Sequence, residues 1–209
     1  MEKYLLATDF LDSNHPSISD LVSDITDVND SDIEKAKKLF LYVRDSINYN
    51  MYLATNYGED YRASNILKAG RGYCVQKAII LAALGRAAGI PSRLVLVAIR
   101  NHKAPKEALD IMKTNIFFPH MYNQFYINSK WVSATATFDK SICERINVGW
   151  VEFDGVNDGL LPSNDNDGNP YIEYIDRYGD FADFPFPFIL SKLYHYYGED
   201  YKIWFESAE

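Results

Sequence analysis

The sequence predicts an α+β fold in which a central helix carrying a cysteine packs on an antiparallel sheet carrying a histidine. Three observations lead to this prediction. An apolar helical pattern begins behind a glycine-rich turn at Cys74, a run of branched apolar residues follows it, and two aromatic arms containing His120 then flank a short polar turn. The length of 209 residues is typical of one domain, and we expect residues 1–209 to form a single domain.

The first strong helix signal is the segment SDIEKAKKLFLYVRDSINYN, which begins at Ser31. Ser31 and Glu34 have the spacing of a capping box, in which each side chain binds the backbone amide of the other residue. Apolar residues recur at helical spacing behind it, at Ile33, Ala36, Phe40, Val43 and Ile47. The segment therefore predicts an amphipathic helix with one face on the core.

The stretch GRGYCVQKAIILAALGRAAGIPSR predicts the central helix. From residue 75 to residue 88 the apolar side chains lie nearly all round the helix, which is typical of a buried helix. Gly89 and Pro91 are stop signals that end it. The run RLVLVAI that follows predicts a strand buried on both faces.

The segment HMYNQFYINSKWVSATATF predicts a β-hairpin with a two-residue turn at Asn128 and Ser129. With that turn, the alternation of side chains places His120 and Thr135 on the same face of the hairpin. Thr135 is then one diagonal neighbour of His120. Asp139 is the other, provided that the second strand continues that far.

Composition restricts the classes of function. The formal net charge is −8 and no block of Lys and Arg is interleaved with aromatics, so we expect no nucleic-acid partner. No apolar run reaches the roughly 20 residues that span a bilayer, and the first residues lack the features of a signal peptide. We therefore expect a cytoplasmic protein with no membrane partner. The segment NDNDG resembles a calcium loop, but Tyr174 stands where a bidentate glutamate is needed, so a hairpin turn explains the segment more simply.

The chain has two cysteines, Cys74 and Cys143, too few for a disulfide framework and wrongly spaced for a zinc site. A cysteine at a helix start faces the positive end of the helix dipole, so we expect a lowered pKa for Cys74. A nucleophilic cysteine also needs a base. His120 is the one histidine on a predicted strand, whereas the others lie in an N-terminal arm, at a loop and in a tail helix, at His15, His102 and His195.

The cysteine block and the histidine hairpin together resemble the core of the transglutaminase-like superfamily, cysteine enzymes of papain-like fold. The resemblance covers about residues 17–139, and about residues 150–209 are expected to form a C-terminal extension. It implies that Cys74 is the nucleophile and His120 the general base. It also implies neither a metal nor a cofactor, although some members of the family bind calcium. The family usually has an acidic residue that orients the histidine, and Thr135 stands at that position here.

Thr135 and Asp139 are therefore the two candidates to orient His120. The threonine hydroxyl can accept the imidazole N–H but cannot stabilise an imidazolium by charge, as Asp139 would. We expect an acyl-transfer enzyme of peptidase, amidase or transglutaminase type, which forms a thioester on Cys74 from a peptide, a protein or a small amide or ester. The alternative is a binding or scaffolding module with reduced or lost catalysis, since 15% of the residues are aromatic and such surfaces favour recognition.

Overall fold

The computed structural model describes residues 1–55 and 57–198. It has the mixed α+β architecture that the sequence predicts. The α-helices in this part of the chain are α1 (Pro16–Ile25), α2 (Asp32–Ser46), α3 (Ala63–Ala69), α4 (Cys74–Ala87), α5 (Lys106–Met112), α6 (Lys140–Arg145) and α7 (Phe186–Tyr197). The strands are β1 (Asn48–Tyr49), β2 (Arg71–Gly72), β3 (Ser92–Asn101), β4 (Ile116–Ile127), β5 (Lys130–Ala134) and β6 (Ile172–Phe181). Within the described residues, no helix combines the length and the apolar character needed to cross a bilayer.

The main sheet has four antiparallel strands in the order β5-β4-β3-β6. Its central strand β3 is buried from Leu94 to Ile99, which confirms the strand predicted from the continuous apolar run. Strands β1 and β2 form a separate parallel pair. No sequence pattern predicts a strand in the C-terminal region, yet β6 forms an edge of the sheet. Half of the residues of β6 are exposed and only Ile172 is buried, so β6 lacks the apolar alternation that signals a strand.

The predicted hairpin turn between β4 and β5 is confirmed. Asn128 and Ser129 have φ values of 51° and 62°, the left-handed conformation that a two-residue hairpin turn of this type requires. Ile127 pairs with Lys130 directly beside the turn. The register of β4 against β5 therefore follows from the two turn residues.

The helix predicted after Ser31 and the predicted central helix behind Cys74 are also present. In the capping box of α2, the Ser31 hydroxyl accepts a hydrogen bond from the Glu34 amide at 3.3 Å, and the Glu34 carboxylate accepts one from the Ser31 amide at 2.8 Å. Helix α4 is buried from Cys74 to Arg86 and packs against β3 and β4. At Gly85 the helix lies close to the sheet, since an added methyl group would meet the Ser92 hydroxyl and lie 2.5 Å from the Phe125 ring.

Two basic side chains of α4 lie within the core and join it to its neighbours. The Lys77 ammonium donates to the carbonyls of Arg44 and Ile47 at 3.0 and 2.8 Å, where α2 ends. Burial lowers the pKa of Lys77 to about 7, because the charged form loses its hydration. Arg86 donates to the Ser92 carbonyl at 2.9 Å, at the start of β3. The residues that interrupt the apolar pattern of α4 therefore satisfy backbone carbonyls that face it.

Candidate active site

Cys74 is the first residue of α4 and is 8% exposed. Strand β2, directly before it, is held by its pairing with β1. The Cys74 sulfur lies 3.7 Å from the carbonyl oxygen of Pro119 in β4. The backbone amides of Met121, Val75 and Cys74 itself donate toward the sulfur and favour the thiolate. The sulfur thus lies between the helix start and the two residues that flank His120.

The expected lowering of the Cys74 pKa is wrong. Burial raises the pKa of this thiol to about 12, and the three backbone amides offset only part of that rise. A thiolate in a buried site loses its hydration, and here this cost outweighs the favourable helix start. Burial therefore favours the neutral thiol form of Cys74.

His120 lies in β4, pairs with Val97 of β3 and is 2% exposed. Burial lowers the pKa of its imidazole to about 3, so the ring is neutral near pH 7. Its Nε2 atom is buried and makes no hydrogen bond within the described part of the chain. The ring packs edge-on against Tyr174 of β6, with 6.4 Å between ring centroids. The sequence did not predict Tyr174 as a neighbour of His120, because Tyr174 lies outside the predicted core at about residues 17–139.

Thr135 follows directly after the end of β5. Its amide donates to the Gly159 carbonyl at 2.9 Å, so its backbone leaves the hairpin ladder. Its hydroxyl is buried and makes no hydrogen bond of good geometry among the residues described, but it lies close enough to the Tyr174 hydroxyl to favour the ionised form of that tyrosine. Tyr174 therefore contacts both the His120 ring and the Thr135 hydroxyl, whereas Thr135 Oγ1 and His120 Nε2 make no hydrogen bond with each other.

Asp139 lies outside the hairpin, because β5 ends at Ala134 rather than continuing to residue 139. It is the N-cap of α6, where its carboxylate accepts hydrogen bonds from the Ile142 amide at 3.0 Å and the Ser141 hydroxyl at 2.6 Å. Burial acts against ionisation, but these hydrogen bonds more than offset it and lower the pKa of Asp139. The contacts of Asp139 are those of a helix cap.

Cys74 and His120 line one cavity of about 500 Å³. Helix α7 forms part of its wall through apolar and aromatic side chains. The Tyr197 hydroxyl fastens the end of this helix to β4, since it accepts from the Phe118 amide and donates to the Phe118 carbonyl, both at 2.7 Å. The sequence signal for this wall is the aromatic segment FPFPFILSKLYHYY, whose position in the fold cannot be read from its composition.

A family model described as the transglutaminase-like superfamily matches residues 19–136, more than half of the chain. The chain belongs to the transglutaminase-like superfamily. Two solved structures are similar to this transglutaminase-like protein. One is a candidate cysteine protease from Cytophaga hutchinsonii, 13% identical, with a TM-score of 0.49 and coverage of 85% of this chain and 53% of that one. The other is a candidate protease from Parabacteroides distasonis, 15% identical, with a TM-score of 0.43 and coverage of 61% and 24%.

The transglutaminase-like chain therefore spans about half the length of the first solved structure and about a quarter of the second. No curated protein matches it. The family match supports the mixed α+β fold, and it leaves the individual site residues to be argued from their geometry.

The other three histidines of this transglutaminase-like protein have contacts away from the cavity. The His15 ring caps α1 by accepting from the Ser17 amide, His102 pairs with Glu173 at 2.7 Å, and His195 lies in α7. Across residues 1–55 and 57–198, no group of three or more His, Cys, Asp and Glu side chains is arranged to hold a metal ion.

The acidic segment NDNDG forms a turn that is closed by its own side chain. Asp165 accepts hydrogen bonds from the amides of Asp167 and Asn169, at 2.9 and 2.8 Å. The same carboxylate pairs with Lys103 at 2.8 Å. The acidic residues here stabilise a turn, as the sequence analysis preferred over a calcium loop.

Proposed function

We propose that this protein is an acyl-transfer enzyme that acts through a thioester on Cys74, with His120 as its general base. The observation that carries the proposal is the position of the Cys74 sulfur, at the start of α4 and 3.7 Å from the carbonyl of Pro119, the residue before His120. The substrate is an amide or an ester, and water or an amine accepts the acyl group.

The burial of Cys74 and His120 determines at which step the thiol proton passes to the imidazole. Because burial raises the Cys74 pKa to about 12 and lowers the His120 pKa to about 3, the resting pair is a thiol and a neutral imidazole. The thiol proton passes to His120 as the sulfur attacks the carbonyl carbon, rather than before substrate arrives. The amides around the sulfur are suited to stabilise the negative charge that develops during the attack.

The second half of the reaction returns the site to its starting state. The imidazolium gives its proton to the departing amine or alcohol as the carbon–heteroatom bond breaks and the thioester forms. His120 then takes a proton from the incoming water or amine, which attacks the thioester carbonyl and releases the Cys74 sulfur. The sulfur recovers the proton from His120, so atoms and charge balance over one cycle.

We propose Thr135 rather than Asp139 as the positioning residue for His120. His120 Nε2 is buried and lacks a partner within the described residues, which is costly for a polar atom. The buried Thr135 hydroxyl lies beside Tyr174, whose ring packs against the His120 ring. The Asp139 carboxylate, in contrast, already accepts two hydrogen bonds in its helix cap. A threonine in this role orients the ring without adding a charge, which is consistent with a neutral resting pair.

Hydrolysis of 4-nitrophenyl acetate by the purified protein tests the proposal. Cys74→Ala should abolish turnover, and His120→Ala should reduce it by about 10²–10⁴-fold, the usual contribution of a general base. Cys143→Ala is the matched control, because this second buried thiol lies outside the cavity lining described above. Turnover that survives Cys74→Ala would contradict the proposal.

The positioning role of Thr135 needs its own variant. Thr135→Val keeps the shape of the side chain and removes the hydroxyl, so turnover should fall by about three- to tenfold, the equivalent of one hydrogen bond. The pH dependence should also shift, because the tautomer of His120 is no longer held. Asp139→Asn should leave the pH profile unchanged, and the reverse order of effects would assign the role to Asp139.

A binding module of the same fold is the second candidate function. The large, mainly apolar cavity and the neutral, buried state of Cys74 and His120 favour it. This candidate predicts that the protein binds an apolar ligand in the cavity and shows no turnover of activated esters above that of Cys74→Ala.

A further inference from the structure

The cavity beside Cys74 has a charge pattern opposite to that of the whole chain. The chain has 21 Lys and Arg residues against 29 Asp and Glu residues. The described residues that line the cavity nevertheless include Arg71, Lys103 and Arg145 and no acidic residue. The basic character of the cavity is therefore local and does not follow from composition.

The three basic side chains differ in whether their charge is already balanced. Lys103 pairs with the Asp165 carboxylate at 2.8 Å and donates to the Ile146 carbonyl at 3.0 Å. Arg71 and Arg145 are exposed, and their side chains form no ion pair within the described residues. Two guanidinium groups at this cavity are thus available to an anion.

Both arginines lie on elements that also supply apolar walls. Arg71 belongs to β2, three residues before Cys74, and its partner strand β1 contributes Tyr49 to the lining. Arg145 is the last residue of α6, which contributes Ile142 to the same lining. The volume of about 500 Å³ lies within the range of sites that hold small molecules or single side chains. A ligand that fills this space meets apolar surface and unpaired positive charge together.

Building on the proposed function, we propose that the acyl group accepted by Cys74 has an apolar body that fills the cavity and a carboxylate that pairs with Arg71 and Arg145. A guanidinium binds a carboxylate through two parallel hydrogen bonds, which adds orientation to attraction. The carboxylate thus selects the substrate, and the apolar body supplies most of the buried area. The exposure of both arginines makes the selection modest and dependent on salt.

Direct binding to Cys74→Ala tests this substrate class without any need for catalysis. The probes are 4-phenylbutyrate, 4-phenylbutan-1-ol and 4-phenylbutylamine, which share one apolar body and differ in charge, and isothermal calorimetry measures their affinities. We expect the carboxylate to bind tightest and the amine weakest. Equal affinities, a preference for the amine, or no binding of 4-phenylbutyrate would overturn the proposal.

Substitutions of the two arginines test whether they cause the preference for the carboxylate. Arg71→Gln and Arg145→Gln should each weaken binding of 4-phenylbutyrate by about two- to fivefold, the range for an exposed ion pair, and leave the alcohol unchanged. Arg71→Lys and Arg145→Lys should retain most of the preference because they keep the charge. Arg62→Gln is the matched control, since Arg62 is an exposed arginine outside the cavity lining. A loss that is equal for the acid and the alcohol would contradict the assignment.

A pair of 4-nitrophenyl esters separates failure of this inference from failure of the proposed function. One ester has an acyl chain that ends in a methyl group, and the other has a chain of the same length that ends in a carboxylate. Turnover of both esters through Cys74 at equal kcat/KM would leave the acyl-transfer proposal standing and overturn the anion preference. Arginine-dependent binding of 4-phenylbutyrate without turnover of either ester would support the cavity preference and overturn acyl transfer.

Discussion

The pH dependence of Cys74 alkylation is the sharpest consequence of the site's burial. Because the pKa of this thiol is raised to about 12, about one molecule in 10⁵ carries a thiolate at pH 7. An ordinary thiol, with a pKa of about 8.5, is about 3% ionised at the same pH. Since the thiolate is the reactive form, we expect alkylation of Cys74 to be about three thousandfold slower than that of an ordinary thiol.

The assay is alkylation by iodoacetamide between pH 5 and pH 10, followed by intact mass in a Cys143→Ala background so that one thiol remains. The rate should rise about tenfold per pH unit over the whole range, without a plateau. The dependence of the alkylation rate on pH is the decisive observation, because limited access to a buried sulfur lowers the rate equally at every pH. The same protein unfolded in urea should react at the rate of an ordinary thiol and serves as the control.

A plateau of fast labelling that persists below neutral pH and disappears in His120→Ala would refute this reasoning. It would mean that Cys74 and His120 exist as a thiolate and an imidazolium before substrate binds. Hydrogen bonding and mutual attraction of the pair would then outweigh the cost of burying both charges.

Three further predictions concern the framework around the site. Because burial lowers the pKa of Lys77 from 10.5 to about 7, the unfolded chain binds more protons than the folded chain between these pH values, and stability rises with pH by on the order of 5 kcal/mol. Urea unfolding of Lys77→Met should lack that rise relative to the wild type, and equal pH slopes would contradict the buried lysine. Gly85→Ala should lower the free energy of unfolding by about 1–3 kcal/mol, because its methyl group would crowd Phe125; an unchanged urea midpoint would show that α4 has room to move. Tyr197→Phe should speed amide hydrogen exchange at Phe118, whose amide loses its acceptor, and exchange at the wild-type rate would contradict the attachment of α7 to β4.

Local sequence signals were sufficient for the elements that depend on neighbouring residues. The capping box at Ser31 and the left-handed turn at Asn128 and Ser129 are both decided by side chains a few positions apart. The buried helix α4 was predicted from an apolar pattern that few polar residues interrupt, and the central strand β3 from a continuous apolar run. Edge strand β6 was missed because only one of its residues is buried, and its place in the sheet comes from pairing with β3 rather than from its own pattern.

The electrostatics of the candidate site could not be predicted from the sequence. The glycine-rich turn before Cys74 and the hairpin that carries His120 are visible in the sequence. The direction of the Cys74 pKa depends on how completely α7 and β4 cover the sulfur, which is a property of packing over long sequence distances. The same limit applies to Tyr174, which packs against His120 from a strand more than 50 residues downstream.

The most direct test of the central claim is detection of the acyl-enzyme itself. The protein is mixed with 4-nitrophenyl acetate, quenched in acid within one turnover and examined by intact mass and peptide mapping. We expect a single acetyl group on Cys74. Its rate of formation should fall by about 10²–10⁴-fold in His120→Ala and should be unchanged in Cys143→Ala. Acetylation elsewhere, or equal rates with and without His120, would contradict the central claim.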